Sequence, residues 1–379
     1  MPRKSGRDPL WARFALVLGA VLMLASGTAL VGGRFLLARY TGSVKQESLL
    51  GSAAAVDEHQ PGASGHASID GPINLLLVGI DERADDPSGG ARSDSIIIVH
   101  VPATHDQAYL VSIPRDSLVD IPAYPRTGYS GGRDKINSAF EFGYRNNGGR
   151  AGGFELLALT IKQLTGISFN GGAIVNFGGF QSLVAAMGGV NLCVDEKTTS
   201  IHIGTDANGK TTVPFTQTPS GALIPVRGVT PQVYQPGCQH MAAWQALDYV
   251  RQRELIPDGD YGRQRHQQQF LRAIFQQATS AGVVTNPLKL DSVLRAAGQA
   301  LTFDGGGVSI DDWIFTLKGV GNLVMVKTNG GDFNSEQVGG ESVEILNDMS
   351  MQLLQSVRDD AVATFVSAHP DWVIPADRP

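Results

Sequence analysis

Asp81 and Asp94 flank a short turn-rich stretch, and if that stretch closes a hairpin their carboxylates approach one another. Two carboxylates in proximity need a cation or a shared proton between them. With oxygen ligands only, Mg2+ or Mn2+ is the natural ion, and the competing arrangement pairs each acid with a neighbouring arginine. The cations are close by in sequence pattern. Arg92, Arg115, Arg251 and Arg253 all fall at expected strand or helix ends, and Arg83 lies inside the turn. Arg263 and Gln267 are four residues apart on an expected helix and therefore share a face, with Phe270 and Ile274 continuing that face into the interior. Guanidinium forks match phosphate oxygens two at a time. Arginines grouped around an acidic pair describe a site for a metal-bound polyanion, with Asp81, Asp94, Arg92 and Arg115 as catalytic candidates. Asp81, Asp94 and Asp116 are all open as the general base.

The elements that must position these groups follow from apolar patterning. Asn74–Asp81 (NLLLVGID), Ser95–Val101 (SIIIVHV) and Ala108–Ile113 (AYLVSI) read as buried strands. Their connections are too short for helical crossovers, so an antiparallel meander is expected. That meander brings Asp81, Arg83, Arg92, Asp94, Arg115 and Asp116 to one edge of a sheet. Phe154–Leu164 is expected to be a helix stopping at Gly166, Ala173–Asn176 a short strand, and Gly179–Met187 a helix closed by Gly188 and Gly189. Residues 194–237, β-branched and rich in Pro and Gly, read as an excursion of hairpins. Met241–Val250 and Asp260–Ala278 read as helices, the latter with Asp260 as candidate N-cap, and Val343–Ala368 as one last long helix.

Two chemical motifs fail on context. GTDANGKT (204–211) matches a phosphate-binding loop, but TVPFTQTP follows where a helix must begin, and Asn208-Gly209 is a hairpin dipeptide. GYSGG (128–132) matches a nucleophile elbow, but prolines precede it and no helical period follows. There is no H-E-x-x-H or C-x-x-C. A net charge of −6 gives no reason to expect nucleic acid as a partner, and nothing requires ATP. Glycine makes up 46 of 379 residues, about 12% against a usual value of roughly 7%, which favours strands and turns over a helical bundle.

Arg3, Lys4, Arg7 and Arg13 precede an uncharged run, Phe14 to Gly33, long enough to span a bilayer as a helix. The flanking charge places the N-terminus in the cytoplasm and the rest of the chain outside, with a cleaved signal peptide as the competing reading. The expected organisation is a cytoplasmic tail over 1–13, a membrane helix over 14–33, an extracytoplasmic linker over 34–71, a catalytic domain over 72–368 and a tail over 369–379. In an oxidising exterior Cys193 and Cys238 are expected to pair, closing a loop worth about 4 kcal/mol in the chain-entropy model; two buried thiols are the alternative.

The ordered set GIDER (79–83), RSDSIIIVHV (92–101), VSIPRDSLV (111–119), DKINSAF (134–140), FGGFQSLVAAMGGV (177–190), ALDYVRQR (246–253) and DGDYGRQRHQQQFL (258–271) resembles the LytR-CpsA-Psr family. The resemblance implies an α/β fold: a three-layer α/β/α domain with a mixed, largely antiparallel central sheet and an apolar tunnel for lipid. It implies a membrane-anchored extracytoplasmic phosphotransferase that moves a glycopolymer phosphate from a polyprenyl-pyrophosphate carrier to the muramic acid 6-hydroxyl of peptidoglycan. It implies metal ligation by Asp81 and Asp94, and pyrophosphate binding by Arg92, Arg115, Arg251, Arg253 and Arg263 with Gln267. Lys135 and Asn137 fall in the family's Lys-Ile-Asn stretch. No further C-terminal domain is expected. The alternatives are a pyrophosphatase acting on the same lipid-linked glycan and a non-catalytic wall-lipid scaffold.

Overall fold

A computed structural model describes residues 45–55, 69–81, 91–218, 221–280, 292–293, 295–296, 301–317 and 319–375. The expected membrane helix lies outside these residues, and among those described no helix is long and apolar enough to cross a membrane.

The main sheet comprises β1 (Lys45–Gln46), β2 (Ile73–Asp81), β3 (Arg92–Val101), β4 (Gln107–Ser112), β5 (Gly171–Asn176), β6 (Leu301–Asp304), β7 (Asn322–Val326) and β8 (Val373–Ile374). Their order is β1-β6-β5-β2-β3-β4-β7-β8. β2, β3 and β4 form the expected antiparallel meander, while β5 and β7 join it in parallel, so the sheet is mixed. Alternation along the strands divides its two faces. Leu76, Val78, Ile80, Ile96, Ile98 and Val111 point into a core closed by α1 (Ile136–Tyr144) and α2 (Gly149–Thr165). Residues one step out of phase, among them Leu77 and Ile97, face the opposite layer, to which α3 (Phe177–Ala186), α4 (Ala243–Arg251) and α5 (Gly259–Ala278) belong. The result is the expected three layers.

Local sequence accounts for most element ends. α2 stops where Gly166 takes φ 78° in the left-handed region, as its position after the apolar run predicts. The 194–237 excursion is indeed a set of short antiparallel pairs, and the G-K-T motif lies on a turn between Thr198–Asp206 and Thr211–Thr212. Cys193 and Cys238 face each other across the antiparallel pair Val190–Val194 and Gly237–Met241 and are joined by a disulfide.

Three expectations are corrected. Asp260 is not the N-cap of α5: that position falls to Asp258, and Asp260 sits inside the first turn, where it is free to serve the site. The single helix over Val343–Ala368 is three elements. Val343 belongs to the strand Glu341–Glu344, Asn347 caps a helix over Asp348–Arg358, and a second helix covers Val362–Ala368. The break falls at Asp360, whose φ of 53° ends the first helix and whose carboxylate then reaches His100 and the backbone N–H of Ala103 in the sheet layer. A helix period cannot reveal such a contact because its reward is tertiary. Finally, the expected 34–71 linker is not all tether. Lys45–Gln46 adds to the sheet beside β6, Leu49 and Leu50 are fully buried, and the Asp304 carboxylate accepts from both their N–H groups at 2.7 and 2.8 Å. At the other end, the sheet continues to Ile374, past the expected boundary at 368.

If residues 45–55 belong to the folded domain, Leu50→Ala lowers its stability by about 2–5 kcal/mol, the cost of a buried leucine-to-alanine cavity. Urea denaturation followed by circular dichroism measures it; a change within error would return the segment to the linker.

Candidate functional site

The site begins with an irregularity in the β2–β3 ladder. Gly79 pairs with Ser95 and Ile80 with Ser93, so Asp94 is an extra, bulged residue. A bulge turns a side chain out of the regular alternation, and such bulges recur beside active sites. Asp94 is thereby brought against Arg115, which lies just beyond β4, and its Oδ1 accepts from Arg115. Arg115 Nε is also 3.7 Å from Asp116 and 3.8 Å from Asp260 in the first turn of α5. One guanidinium thus collects carboxylates from three separate stretches of chain. Burial alone would lower its pKa, but Asp94, Asp260 and Asp116 together outweigh burial and raise it above the ordinary arginine value. The loop holding Arg115 is pinned over the start of α1, where Ile136 and Asn137 donate backbone N–H bonds to the carbonyls of Ser117 and Arg115.

Arg263, only 8% exposed in its side chain, crosses from α5 to the same place. It is 2.6 Å from Asp260 and donates to the Asp94 carbonyl at 3.0 Å. Gln267, one turn on, accepts from Ser95 Oγ at 2.8 Å, so the predicted shared face of α5 does meet the β2–β3 edge. Lys135 lies 3.6 Å from Asp116 and 3.4 Å from Glu341. Asn137 is buried, and its Oδ1 has no hydrogen-bond partner in the protein.

Two cavities open from this cluster. One, of about 420 Å³, runs between the sheet and helices α3 to α5, with Leu77, Ile97, Val175, Phe180, Phe270 and Ile274 among its walls. Its lining also carries Asp94, Arg115, Arg251, Arg253, Arg263 and Gln267. The other, of about 530 Å³, is lined by Arg92, Arg115, Asp116, Lys135, Asn137 and Arg253, with Phe333 and Glu341 on its far side. Arg115 and Arg253 border both.

The sequence-derived candidates therefore divide. Asp94, Arg115, Lys135, Asn137, Arg251, Arg253, Arg263 and Gln267 converge on the two cavities. Arg92 reaches the larger cavity but is 58% exposed and bonded to Glu141 at 2.6 Å. Asp81 ends β2 directly across from Arg92; its side chain and the whole of Arg83 lie outside the described residues. Two further residues join the site: Asp260, which the sequence offers only as a helix cap, and Glu341. For Asp260 the i,i+3 spacing to Arg263 was a usable signal. For Glu341 there was none, because a distant hairpin delivers it.

The LytR_cpsA_psr family model matches residues 37–357 of this chain. Among relatives, the chain is 31% identical over 245 residues to the probable cell wall biosynthesis protein LcpB of Corynebacterium glutamicum, covering 62% of this chain and 48% of that protein. It is 29% identical over 209 residues to the polyisoprenyl-teichoic acid–peptidoglycan teichoic acid transferase TagU of Bacillus mycoides, covering 55% and 53%. The chain thus spans about half the length of these curated relatives. A solved structure described as the LytR-CPS2A-psr family protein YwtF (TagT) with bound octaprenyl pyrophosphate lipid superposes with a TM-score of 0.50 at 20% identity, over 81% of this chain and 94% of that one. At that identity the likeness speaks to the fold.

Removing Arg115 takes the paired guanidinium from Asp94, while Asp116 keeps Lys135 and Asp260 keeps Arg263, so Arg115→Ala is expected to cost about 1–3 kcal/mol of stability. Arg92→Ala removes an exposed charge and is expected to cost under about 1 kcal/mol. Paired denaturation curves test this, and equal losses in the two variants would contradict the assigned geometry.

Proposed function

This chain belongs to the LytR-CpsA-Psr family, and from that premise we propose that it is a membrane-anchored extracytoplasmic phosphotransferase. Its donor is a polyprenyl-pyrophosphate-linked glycopolymer and its acceptor the muramic acid 6-hydroxyl of peptidoglycan. One observation carries the reading. A cavity with apolar walls whose lining also holds Arg115, Arg251, Arg253, Arg263 and Gln267 suits an amphiphile with a polyanionic head. Lipid tails gain from the apolar walls, and the diphosphate gains from guanidinium forks in a site screened from water. The octaprenyl pyrophosphate in the TagT structure and the transferase TagU support the same class of donor and acceptor.

The reaction exchanges a phosphoanhydride bond of the donor for a phosphoester bond to the acceptor. The acceptor hydroxyl attacks the phosphorus attached to the glycopolymer, a new P–O bond forms, the bond to the bridging oxygen breaks, and polyprenyl phosphate leaves. In-line displacement needs the nucleophile and leaving group on opposite sides of phosphorus. With the lipid in the apolar cavity, the acceptor arrives through the larger one. Asp116 lines that larger cavity, whereas Asp94 Oδ1 is already bonded to Arg115; this favours Asp116 as the group that takes the hydroxyl proton. Arg115 and Arg263 hold the diphosphate and offset the charge gathering on its oxygens. Lys135, between Asp116 and Glu341, keeps the acceptor side near neutral.

Asp81 and Asp94 offer oxygen donors only, and the ladder sets their backbones at the same end of the β2–β3 hairpin. That donor set fits Mg2+, or Mn2+ in its place. Bound there, the ion would draw charge from the diphosphate. The 14–33 segment would hold the site at the outer face of the cell membrane, in a compartment that suits the Cys193–Cys238 disulfide. Nucleic acid and ATP have no place in this scheme.

The test is an assay of the full chain in detergent with a polyprenyl-pyrophosphate glycan, with and without peptidoglycan. Glycan should become covalently attached only when peptidoglycan is present. Arg263→Ala should slow transfer by about 30- to 900-fold, equivalent to about 2–4 kcal/mol of barrier. Release of phosphorylated glycan at the same rate without acceptor would make the protein a hydrolase. Full transfer by both Arg263→Ala and Arg115→Ala would remove the site from the chemistry altogether.

A further inference from the structure

α5 presents a second polar cluster on a different side from Arg263 and Gln267. Asp195 and Glu196 follow directly on the disulfide-bearing strand Val190–Val194, and His266 and Arg265 meet them from the helix. His266 is completely buried, stacked on the Tyr249 ring at 4.1 Å between centroids, and neither of its ring nitrogens has a hydrogen-bond partner. A buried imidazole with both nitrogens unsatisfied is costly unless something binds it. Its Nε2 faces Asp195 Oδ1 at 3.5 Å, too far for a good hydrogen bond.

The surrounding charge points to a cation. Arg265 is the one guanidinium among three acids, with Nε 2.5 Å from Asp195 Oδ2 and its terminal nitrogens on Glu196 and Asp258. Gln269 donates to the same Oδ2 at 3.0 Å, and Oδ1 is left with Tyr249 Oη, itself 3.5 Å away. A ligand atom on each of Asp195, Glu196 and His266 lies within 4.8 Å of the others. Four ligands at roughly 2.1 Å around a tetrahedral ion sit about 3.4 Å apart, close to the His266–Asp195 separation. Asp195 also borders a cavity of about 250 Å³, shared with Asp258, Arg265 and Gln269, which gives solvent access to that carboxylate.

We propose that Asp195, Glu196 and His266 form a second metal site, separate from Asp81 and Asp94, that takes a divalent transition ion, with Zn2+ as the best match to one imidazole and two carboxylates. The ion ties the base of the 194–237 excursion to the helix that carries Arg263 and Gln267. This role does not depend on which reaction the arginine site performs.

The experiment uses the full chain, stripped of metal, with Asp81→Asn and Asp94→Asn introduced to remove the other acidic pair. Zn2+ is titrated by calorimetry, and Co2+ by visible absorption as a spectroscopic stand-in. One equivalent of Zn2+ should bind, Co2+ should give the intense visible bands of a tetrahedral site, and thermal unfolding should move upward. His266→Ala should weaken binding at least tenfold. Glu196→Gln, which leaves the buried ring stack intact, should do the same and decides the matter if His266→Ala does not fold. Absence of saturable binding, or binding that Glu196→Gln leaves unchanged, overturns the proposal and leaves His266 as a buried structural neighbour of Asp195.

Discussion

Arg115 is the point on which the site turns. Taking a guanidinium and three carboxylates partly out of water carries a desolvation cost before any attraction is counted. The arrangement is tolerable because the acids come from elements that the fold already fixes: Asp94 by the bulge in β3, Asp116 by the loop pinned to α1, and Asp260 by the first turn of α5. None of these acids is a sequence neighbour of the other two. The cluster therefore forms only when the sheet edge, the loop and the helix are all in place. It reports a finished fold, and in the same stroke presets the cation that a diphosphate would meet.

The two faces of the sheet show how one pattern serves two ends. On the α1–α2 side, Leu76, Val78 and Ile80 are completely buried against close-packed aromatic and aliphatic partners such as Phe140 and Phe154. On the other side Leu77 and Ile97 border space. Strand periodicity dictates that both faces be apolar but cannot say which one is filled. That depends on where α3, α4 and α5 come to rest. Phe180 stacks on Phe270 at 4.2 Å, holding α3 to α5 at one wall of the cavity.

This is also where legibility in the sequence runs out. The meander, the helix ending at Gly166, the hairpin at Asn208-Gly209 and the shared face of Arg263 and Gln267 were readable because each depends on residues a few positions apart. Asp94, Arg115 and Asp116 are readable as a crowd at one edge, but the meeting of both acids on the one guanidinium is not. Asp260 was misassigned as a cap because an aspartate at a helix start is usually explained locally. Glu341 and the break at Asp360 escaped notice because their partners, Lys135 and His100, are some 200 residues or more distant in sequence. The burial of Leu49 and Leu50 is hidden by the polar residues around them, and the carboxylate that accepts from their N–H groups, Asp304, lies 255 and 254 residues further along the chain.

The shared wall between the two cavities has a consequence for chemistry. Arg115 and Arg253 border both spaces. A diphosphate held there would lie between an apolar compartment and a polar one, with its lipid end able to enter only the first and its glycan end compatible only with the second. Such a partition orients the donor by solvation alone, before any specific contact is made. Under the proposed reaction, it would also place the leaving group and the incoming hydroxyl on opposite sides of phosphorus, which in-line transfer requires. The acids around Arg115 then have a further use. They hold the guanidinium in position while no phosphate is present, so that little reorganisation is needed when the substrate arrives.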